Sequence, residues 1–376
     1  MKFIHISDLH LGKHVNGFSM LTDQRYILTK IINIIDSENP EAVLIAGDVY
    51  DKSVPSGEAV MEFDSFLKNL AQRKLKVFII SGNHDSAERL SFASSLIDLS
   101  GIHISPVYKG NVEPFVLTDE YGKINIYMLP FIKPTGARAV FEGEKIESYT
   151  DAVNAAIKQM NINTDERNII VTHQFVTGAL RSESEEISVG GTDNVDITAF
   201  EPFDYVALGH IHRPQKLIYE TVRYCGSPLK YSFSEAAFEK SVPVVEMKGK
   251  GDVEIKAVPL TPRYDMREIK GKYDDIVLKE NYENTATDDY MHITLTDEED
   301  IPDVINKLRV IYPNLMKVDY DNTRTRTSAV FSELGAIEKK TELELFSEFF
   351  EKQNGQPLTS EQEEITKKIF EELKEA

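Results

Sequence analysis

Five short clusters of metal-seeking side chains each follow an apolar run of the chain, and their residue types suit metal chemistry. In chain order the clusters are Asp8 and His10; Asp48; Asn83, His84 and Asp85; His173; and His210 and His212. The set combines carboxylate, amide and imidazole ligands without a thiolate, a combination that suits manganese, iron or zinc. The single Cys225 excludes a cysteine-based zinc site and an internal disulfide, and is expected to be a small core residue.

The spacing within two of the clusters allows paired side chains to share one metal centre. Asp8 and His10 lie two residues apart, as do His210 and His212, so each pair can present both side chains to a common centre. A pair of ions needs a bridging carboxylate, and Asp48 is the predicted bridge. Taken singly, an aspartate could cap a helix and a histidine could be a satisfied core residue. Six of the nine histidines follow predicted strands directly or within one loop, counting His14, so chance is a poor explanation.

The elements that would position these clusters alternate between strand and helix. Up to residue 98, short apolar strands alternate with amphipathic stretches predicted as helices at Leu21 to Ser37, Gly57 to Arg73 and Ala87 to Leu99. This βαβαβα order predicts a mostly parallel sheet with helices outside. A strand-rich section follows, with one helix near Tyr149 to Met160. Because parallel strands end on one side of a sheet, the clusters are expected to meet there.

Two further segments follow a plausible linker bracketed by Pro259 and Pro262. Residues 263–335 are predicted to form a small α+β domain after a first domain of residues 1–262. Residues 336–376 carry two predicted amphipathic helices, Glu342 to Lys352 and Ser360 to Lys374. These helices could fold back onto the second domain, but docking of a partner is favoured. The side chains predicted to bind that partner are Phe346, Phe350, Ile365, Ile369 and Leu373.

Composition limits the partners and the location. No run reaches the length of a membrane span, and the amino terminus lacks the pattern of a signal peptide, so a cytoplasmic location is expected. The formal net charge of −20 argues against broad unassisted binding to a nucleic-acid backbone. Bound divalent cations or the basic surface of a partner would weaken that objection.

The ordered motifs Asp8-x-His10, Gly47-Asp48, Gly82-Asn83-His84-Asp85, His173 and Gly209-His210-x-His212 resemble those of the calcineurin-like metallophosphoesterases. Within that superfamily the closer resemblance is to the SbcD family of nuclease subunits. It is carried by the stretches Ser7 to Lys13, Glu88 to Leu90, Ser182 to Glu185 with Val189 to Thr192, and Gly226 to Glu235. The likeness extends from residue 1 to about residue 260, and beyond that it rests on layout.

The resemblance implies a four-layer αββα core, a small capping domain and a terminal helical pair. By position, one metal would take Asp8, His10, Asp48 and His212, and the other Asp48, Asn83, His173 and His210. His84 would face the phosphate or the leaving oxygen, with Asp85 as a possible orienting group. Asp51 stands where some relatives have a histidine, which puts a second histidine contact in doubt.

The resemblance further implies a manganese-dependent DNA nuclease in end processing, repair and recombination. Its implied actions are 3′-to-5′ exonuclease on double strands and endonuclease on hairpins and single strands. ATP dependence would come from an SbcC-type ATPase, because this sequence lacks a Walker phosphate loop. A homodimer is expected through the helices at 57–73 and 87–99. Two alternatives stay open: a phosphomonoesterase or cyclic-nucleotide phosphodiesterase on the same scaffold, and a binding module that tethers an ATPase to DNA.

Overall fold

The computed structural model describes residues 1–185, 194–325, 346–347, 350 and 357–375. Its strands are β1 (Lys2–Ile6), β2 (His14–Val15), β3 (Phe18–Ser19), β4 (Ala42–Ala46), β5 (Lys76–Ile80), β6 (Ile102–Ile104), β7 (Phe115–Asp119), β8 (Gly122–Leu129), β9 (Arg167–His173), β10 (Phe175–Val176), β11 (Asn194–Val195), β12 (Tyr205–Gly209), β13 (Gln215–Lys216), β14 (Val222–Tyr224), β15 (Ser241–Met247), β16 (Val253–Pro259), β17 (Met266–Gly271), β18 (Tyr290–Leu295) and β19 (Leu315–Tyr320). Its α-helices are α1 (Leu21–Glu38), α2 (Gly57–Gln72), α3 (Ala87–Leu90), α4 (Ser94–Ile97), α5 (Pro134–Val140), α6 (Tyr149–Gln159), α7 (Tyr273–Ile276), α8 (Lys279–Tyr282), α9 (Val304–Arg309) and α10 (Ser360–Glu375).

Two six-stranded sheets form the centre of the described structure. The first has the strand order β16-β15-β1-β4-β5-β6, and the second has the order β13-β14-β12-β9-β8-β7. In the first sheet β1, β4, β5 and β6 run parallel, and in the second β8, β9, β12 and β14 run parallel. The antiparallel strands lie toward the sheet edges. The carboxyl ends of neighbouring parallel strands therefore lie together within each sheet.

The apolar side chains divide among three cores, and this division defines the layers. One core contains Phe3 and Leu44 from the first sheet together with Ile169 and Ala207 from the second, so the two sheets pack face to face. A second core packs α1 and α2 on the outer face of the first sheet. A third packs α5 and α6 on the outer face of the second. The expected four-layer αββα architecture is thus confirmed, because strands buried on both faces need a helix layer outside each sheet.

The chain divides into two compact units. The first comprises Met1–Ile269, Val277–Ile293 and Asp303–Val318, and it contains both large sheets. The second comprises Lys270–Ile276, Thr294–Pro302 and the chain from Asp319 onward. Strands β17, β18 and β19 form a three-stranded sheet in that order. The domain limits expected at residues 262 and 335 stay a prediction.

Most predicted elements are confirmed, but the helix predicted at 87–99 is wrong. Two single turns, α3 and α4, take its place, followed by a short 3-10 turn. Ala93 interrupts them with a left-handed backbone at φ 57°. The Ser91 hydroxyl donates to the carbonyl of Ala87, the kind of local competition by which serine disfavours a helix interior.

The carboxyl-terminal predictions fall partly outside the described residues. Helix α10 confirms the predicted helix at Ser360 to Lys374. Most of the predicted helix Glu342 to Lys352, and the motif Val189 to Thr192, lie outside the described part of the chain. Across the described residues, no helix is both long and apolar enough to cross a membrane.

Candidate metal centre

The loops that follow β1 and β4 are joined by backbone hydrogen bonds, and this pairing positions three candidate ligands. The amide of Asp8 donates to the carbonyl of Gly47 at 3.0 Å, and the amide of His10 donates to the carbonyl of Asp48 at 2.9 Å. Both loops begin where a parallel strand ends in the buried interior. Asp8, His10 and Asp48 are consequently held against one another and are almost completely buried.

The turn after β5 is tied to the same place by Asp85. One Asp85 oxygen accepts from the amides of Gly82 and Val49 at 3.0 and 3.1 Å, and the other accepts from the amide of Tyr50 at 2.9 Å. The amide of His84 in turn donates to Asp48 Oδ1 at 2.9 Å. The carboxylate of Asp85 therefore braces two loops through backbone amides.

His84 takes its orientation from a different residue than the sequence suggested. Its Nδ1 lies 3.0 Å from the carbonyl oxygen of Asp51, where Asp85 was the expected orienting group. Its Nε2 lies 4.0 Å from Asp48 Oδ2, and 16% of the side chain is exposed. His84 thus combines a fixed ring with access from outside. The Asp51 side chain binds Lys13 at 2.8 Å and lies 3.6 Å from His10 Nδ1.

Gly82 and Gly209 stand where no side chain fits. A Cβ on Gly82 would overlap the carboxylate and amide of Asp48. A Cβ on Gly209 would overlap the carbonyl of Ala46 and crowd the ring of His173. Gly82 therefore lets the turn after β5 approach the Asp48 loop, and Gly209 lets β12 of the second sheet approach β4 of the first, so that the ligands can meet.

The first predicted ligand group converges in the structure. His10 Nε2 and His212 Nε2 lie 3.0 Å apart, and His10 Nε2 lies 3.6 Å from Asp48 Oδ2. One ligand atom each from Asp8, His10 and His212 falls within 4.8 Å of the others. The Asp8 carboxylate also accepts from the amide of His210 at 3.1 Å, which links it to the second sheet.

The second predicted group also converges on Asp48. His173 Nε2 lies 3.2 Å from Asp48 Oδ2 and 3.0 Å from Asn83 Oδ1. His210 Nδ1 lies 2.9 Å from the same Asn83 oxygen. Nδ1 of His173 is 2.8 Å from the carbonyl of Ala46, so it donates there and leaves Nε2 for a ligand. Asp48 is common to both groups, the place expected of a bridging carboxylate.

The electrostatics of the cluster favour a cation. Burial lowers the pKa of His210 to about 3, helped by neighbouring His173, so its nitrogen lone pair is free near neutral pH. Burial also acts to lower the pKa of His173, but the Asp48 carboxylate outweighs it and raises that pKa to about 9. Nitrogen donors and two carboxylates converge in a buried site, so the residues present fit two divalent ions.

A circuit of hydrogen bonds on the side of His212 away from His10 was not predicted from the sequence. His212 Nδ1 lies 2.7 Å from Ser184 Oγ, and that hydroxyl donates to Glu235 Oε1. Glu235 pairs with Lys240, and Lys240 Nζ donates back to the carbonyl of His212 at 2.7 Å. The amide of His212 donates to Glu185 Oε1 at 2.7 Å. The stretches that carry the family resemblance include Ser184, Glu185 and Glu235, whereas nothing in the sequence indicated a role for Lys240.

Three of the residues predicted to bind a partner carry exposed apolar surface. Phe346, Ile365 and Ile369 are 36%, 56% and 51% exposed. The Phe346 ring contacts the rings of Phe350 and of Phe370, with centroids 6.5 and 6.0 Å apart. The side chain of Leu373 lies outside the described residues. Cys225 is buried as expected, with its sulfur 2.9 Å from Ser7 Oγ.

Comparison with known families agrees with this geometry. Residues 1–214 match the model of the calcineurin-like phosphoesterases, and residues 262–354 match a model described as the type 5 capsule protein repressor C-terminal domain. Two face-to-face sheets with a shared cluster of Asp, Asn and His at their ends define a metallophosphoesterase of the calcineurin-like class.

Full-length relatives narrow the class. The chain is 32% identical over 374 residues to the D subunit of nuclease SbcCD from Staphylococcus epidermidis, covering 98% of each chain. It is 33% identical over 379 residues to the D subunit of nuclease SbcCD from Staphylococcus saprophyticus, covering 100% of this chain and 99% of the relative. The chain belongs to the SbcD family of the calcineurin-like phosphoesterases.

Solved structures give more distant likenesses. A crystal structure of TT1561 from Thermus thermophilus matches 68% of this chain with a TM-score of 0.38 and 12% identity, and 98% of that chain is covered. A dimetal phosphatase from Danio rerio matches 69% of this chain with a TM-score of 0.40 and 12% identity, and 99% of that chain is covered.

Proposed function

We propose that this chain is a two-metal DNA nuclease that works with an SbcC-type ATPase in DNA end processing, repair and recombination. One observation carries the proposal: two groups of nitrogen and oxygen ligands share Asp48 at the ends of buried parallel strands. The full-length relatives, named as nuclease subunits, support the choice of DNA over a small phosphate ester. A phosphomonoesterase or cyclic-nucleotide phosphodiesterase is not favoured.

Each ligand has a proposed place. Asp8, His10, Asp48 and His212 would hold one ion, and Asp48, Asn83, His173 and His210 the other. Bound divalent ions supply Lewis-acid activation of water and neutralise charge on the phosphate oxygens. Manganese is the proposed ion, and the donor set is compatible with it.

The chain's own residues would then handle the substrate. His84, partly exposed and fixed by the Asp51 carbonyl, would face the phosphate, stabilise its developing charge or protonate the leaving oxygen. Asp85 acts through the loops, since its oxygens bind backbone amides. The proposed actions are 3′-to-5′ exonuclease on double strands and endonuclease on hairpins and single strands.

The proposed assembly has two kinds of contact. Residues 1–262 would be the nuclease domain, 263–335 a capping domain, and 336–376 the helices that bind the ATPase. The proposed homodimer uses the segment 57–73 and the segment 87–99. Within these segments, Phe63, Phe66 and Leu90 pack into their own core. The exposed side chains are Met61, Phe92, Leu96 and Leu99, at 72%, 80%, 73% and 90%, and these would form the contact. The cytoplasmic location stays a prediction.

A manganese-dependent assay on a hairpin-capped duplex tests the proposal, run with and without the partner ATPase and ATP. A small phosphodiester is assayed in parallel, and His84→Gln serves as the inactive control. We expect metal-dependent cleavage of the duplex, lost in the variant. Hydrolysis of the small ester with no cleavage of DNA, even with the ATPase and ATP present, would rule out the nuclease and favour the small-ester alternative. Full cleavage by His84→Gln would contradict the role given to His84.

A further inference from the structure

A cavity of about 390 Å³ opens beside the second ligand group. It is lined on one side by the turn that carries Asn83 and on the other by the segment that follows β8, including Phe131 and Lys133, with Tyr108 at its wall. We call it the Phe131 pocket. Its volume lies within the range of pockets that bind small organic ligands. No ligand group of the metal centre other than Asn83 lines it.

Phe131 connects this pocket to the metal centre. Its ring lies nearly parallel to that of His210, with centroids 6.3 Å apart and an interplanar angle of 16°. It also contacts the ring of His173 edge-on at 6.2 Å. The amide of Phe131 donates to the carbonyl of Ser81 at 3.0 Å, which fixes the segment to the end of β5. A half-buried aromatic ring is therefore held rigidly next to two candidate ligands.

The other two groups supply polarity and charge. The hydroxyl of Tyr108 is buried and has no hydrogen-bond partner among the described residues. Burial raises the pKa of that hydroxyl to about 12, so it stays a hydrogen-bond donor near neutral pH. Lys133 is exposed, and its Nζ lies 6.0 Å from the centre of the Phe131 ring. A buried hydroxyl without a partner is costly unless a ligand or water completes it.

We propose that the Phe131 pocket binds the nucleoside next to the scissile phosphate. The base would extend the stack of His210 and Phe131, the Tyr108 hydroxyl would hydrogen-bond to the base or sugar, and Lys133 would face an adjacent phosphate. Stacking on an aromatic ring tolerates every base, as a nuclease without sequence preference requires. The inference rests on the proposed function and specifies its substrate at one side of the bond.

Equilibrium binding to the manganese-loaded protein tests the pocket without turnover. Calorimetry compares thymidine 5′-monophosphate and thymidine 3′-monophosphate with methyl phosphate, which shares the phosphate and lacks the nucleoside. We expect at least one thymidine nucleotide to bind more tightly than methyl phosphate. Phe131→Ala should reduce that advantage by about tenfold, the usual scale of one base stacked on one aromatic ring. Tyr108→Phe should reduce it by a smaller factor.

Matched variants separate binding from folding. Tyr121 is an exposed aromatic residue between β7 and β8, at the edge of the sheet opposite His173, and Tyr121→Ala should leave the nucleotide advantage unchanged. Phe131→Leu keeps an apolar contact with His210 but removes the ring, and should behave as Phe131→Ala if the latter fails to fold. Manganese content is measured for each variant.

Two outcomes overturn the pocket. One is a wild-type protein that binds both nucleotides no more tightly than methyl phosphate. The other is a Phe131 variant that binds both nucleotides and methyl phosphate more weakly by the same factor, which would show that the ring only supports His210. DNA cleavage by the wild type is scored separately. If the wild type cleaves DNA but shows no preference for the nucleotides over methyl phosphate, only the pocket hypothesis is contradicted. If it cleaves no DNA, the proposed function is contradicted, whatever its binding pattern.

Discussion

Four of the proposed ligands adopt backbone conformations that residues other than glycine rarely hold. Asp8, His10, Asp48 and His210 have φ values of 53°, 44°, 49° and 100°. Such conformations cost on the order of 1–3 kcal/mol each and persist only when the surroundings fix them. The paired loops after β1 and β4 supply that constraint for Asp8, His10 and Asp48, and the hydrogen bond from the His210 amide to Asp8 supplies it for His210. The ligands are thereby held in position before any ion binds, which favours a centre with fixed geometry.

At the scale of single residues, Asn83 and His84 should have separable roles. Asn83→Ala removes an oxygen that lies within 3.0 Å of both His173 and His210, so we expect manganese to bind more weakly. His84→Gln removes a ring whose Nδ1 already contacts the Asp51 carbonyl, so both ions should stay bound while cleavage stops. Calorimetric titration with manganese and metal analysis after dialysis measure the difference.

The alternative role for His84 is that of a metal ligand. His84 Nε2 lies close enough to Asp48 and His10 for the three to form a ligand group of their own. Loss of one manganese ion from His84→Gln would show that His84 is a metal ligand, and would contradict the separate roles given to Asn83 and His84. Asp85→Asn is a useful reference variant. It should loosen both loops and lower the affinity for both manganese ions together.

At the scale of elements, the circuit behind His212 should tune the first metal site. Ser184→Ala removes the group that contacts His212 Nδ1 and leaves the Glu235–Lys240 pair in place. Loss of such an outer partner commonly lowers metal affinity by about 10- to 100-fold. We expect that loss at one of the two manganese sites in a calorimetric titration, with a nearly unchanged melting temperature.

The matched control for that circuit is Ser232→Ala. Ser232 is a partly exposed serine whose hydroxyl contacts Ser234, and it lies in the same motif as Glu235. It should bind manganese like the wild type. Equal weakening at both sites, or none, in Ser184→Ala would argue that the circuit stabilises the loop without orienting His212.

A buried ion pair between Arg167 and Asp119 joins the two sheets at the edge opposite the metal centre. Arg167, at the start of β9, is 2% exposed; it pairs with Asp119 and donates to the carbonyls of Gly122 and Lys248 at 2.7 Å each. Asp119 also binds the amino terminus of Met1 at 2.9 Å. Breaking such a buried pair costs about 3–5 kcal/mol. Arg167→Met should therefore lower the melting temperature by roughly 4–6 °C, given the unfolding entropy of a chain of this size.

The Arg167–Asp119 ion pair also predicts that the stability of the fold depends on pH in the acid range. The Arg167 guanidinium holds the pKa of Asp119 well below its ordinary value. A carboxyl with a lower pKa in the folded state stabilises the fold above its unfolded pKa of roughly 3.9, and that contribution disappears as the pH falls further. Melting curves between about pH 6 and pH 3 should show a shallower loss of stability below pH 4 for Asp119→Asn than for the wild type. Identical slopes would contradict the assignment.

The elements also show what the sequence can and cannot predict. The apolar runs Ala42 to Ala46 and Tyr290 to Leu295 predict two strands, and β4 and β18 have those bounds. Polar or turn residues bound both runs, so these strands can be predicted without tertiary information. The ligand clusters could be found because parallel strands must end on one side of a sheet. The left-handed turn at Ala93 and the path of Lys240 to His212 depend on tertiary packing, which no local pattern encodes.

At the scale of the whole molecule, charge limits how the proposed nuclease can meet DNA. The net charge of −20 opposes binding to a phosphate backbone, and clustered Lys and Arg normally supply that attraction. The metal centre can neutralise one phosphate locally, but a duplex offers many more. A basic partner surface would resolve the conflict, so attachment of the ATPase should control DNA binding even though the reaction takes place in this chain.

Attachment through α10 gives the corresponding whole-molecule prediction. Ile365 and Ile369 lie one helical turn apart and are both about half exposed, so together they present an apolar strip suited to a partner helix groove. The double variant Ile365→Asp/Ile369→Asp should abolish co-purification with the SbcC-type ATPase and, with it, ATP-dependent cleavage of duplex DNA. Hydrolysis of a small phosphodiester and manganese content should match the wild type, because α10 contributes no proposed ligand. Lys367→Glu changes the net charge of the same helix by the same two units without touching the strip, and should assemble normally. If the double variant still assembles, α10 only packs within its own chain; if Lys367→Glu fails equally, charge rather than the apolar strip governs assembly.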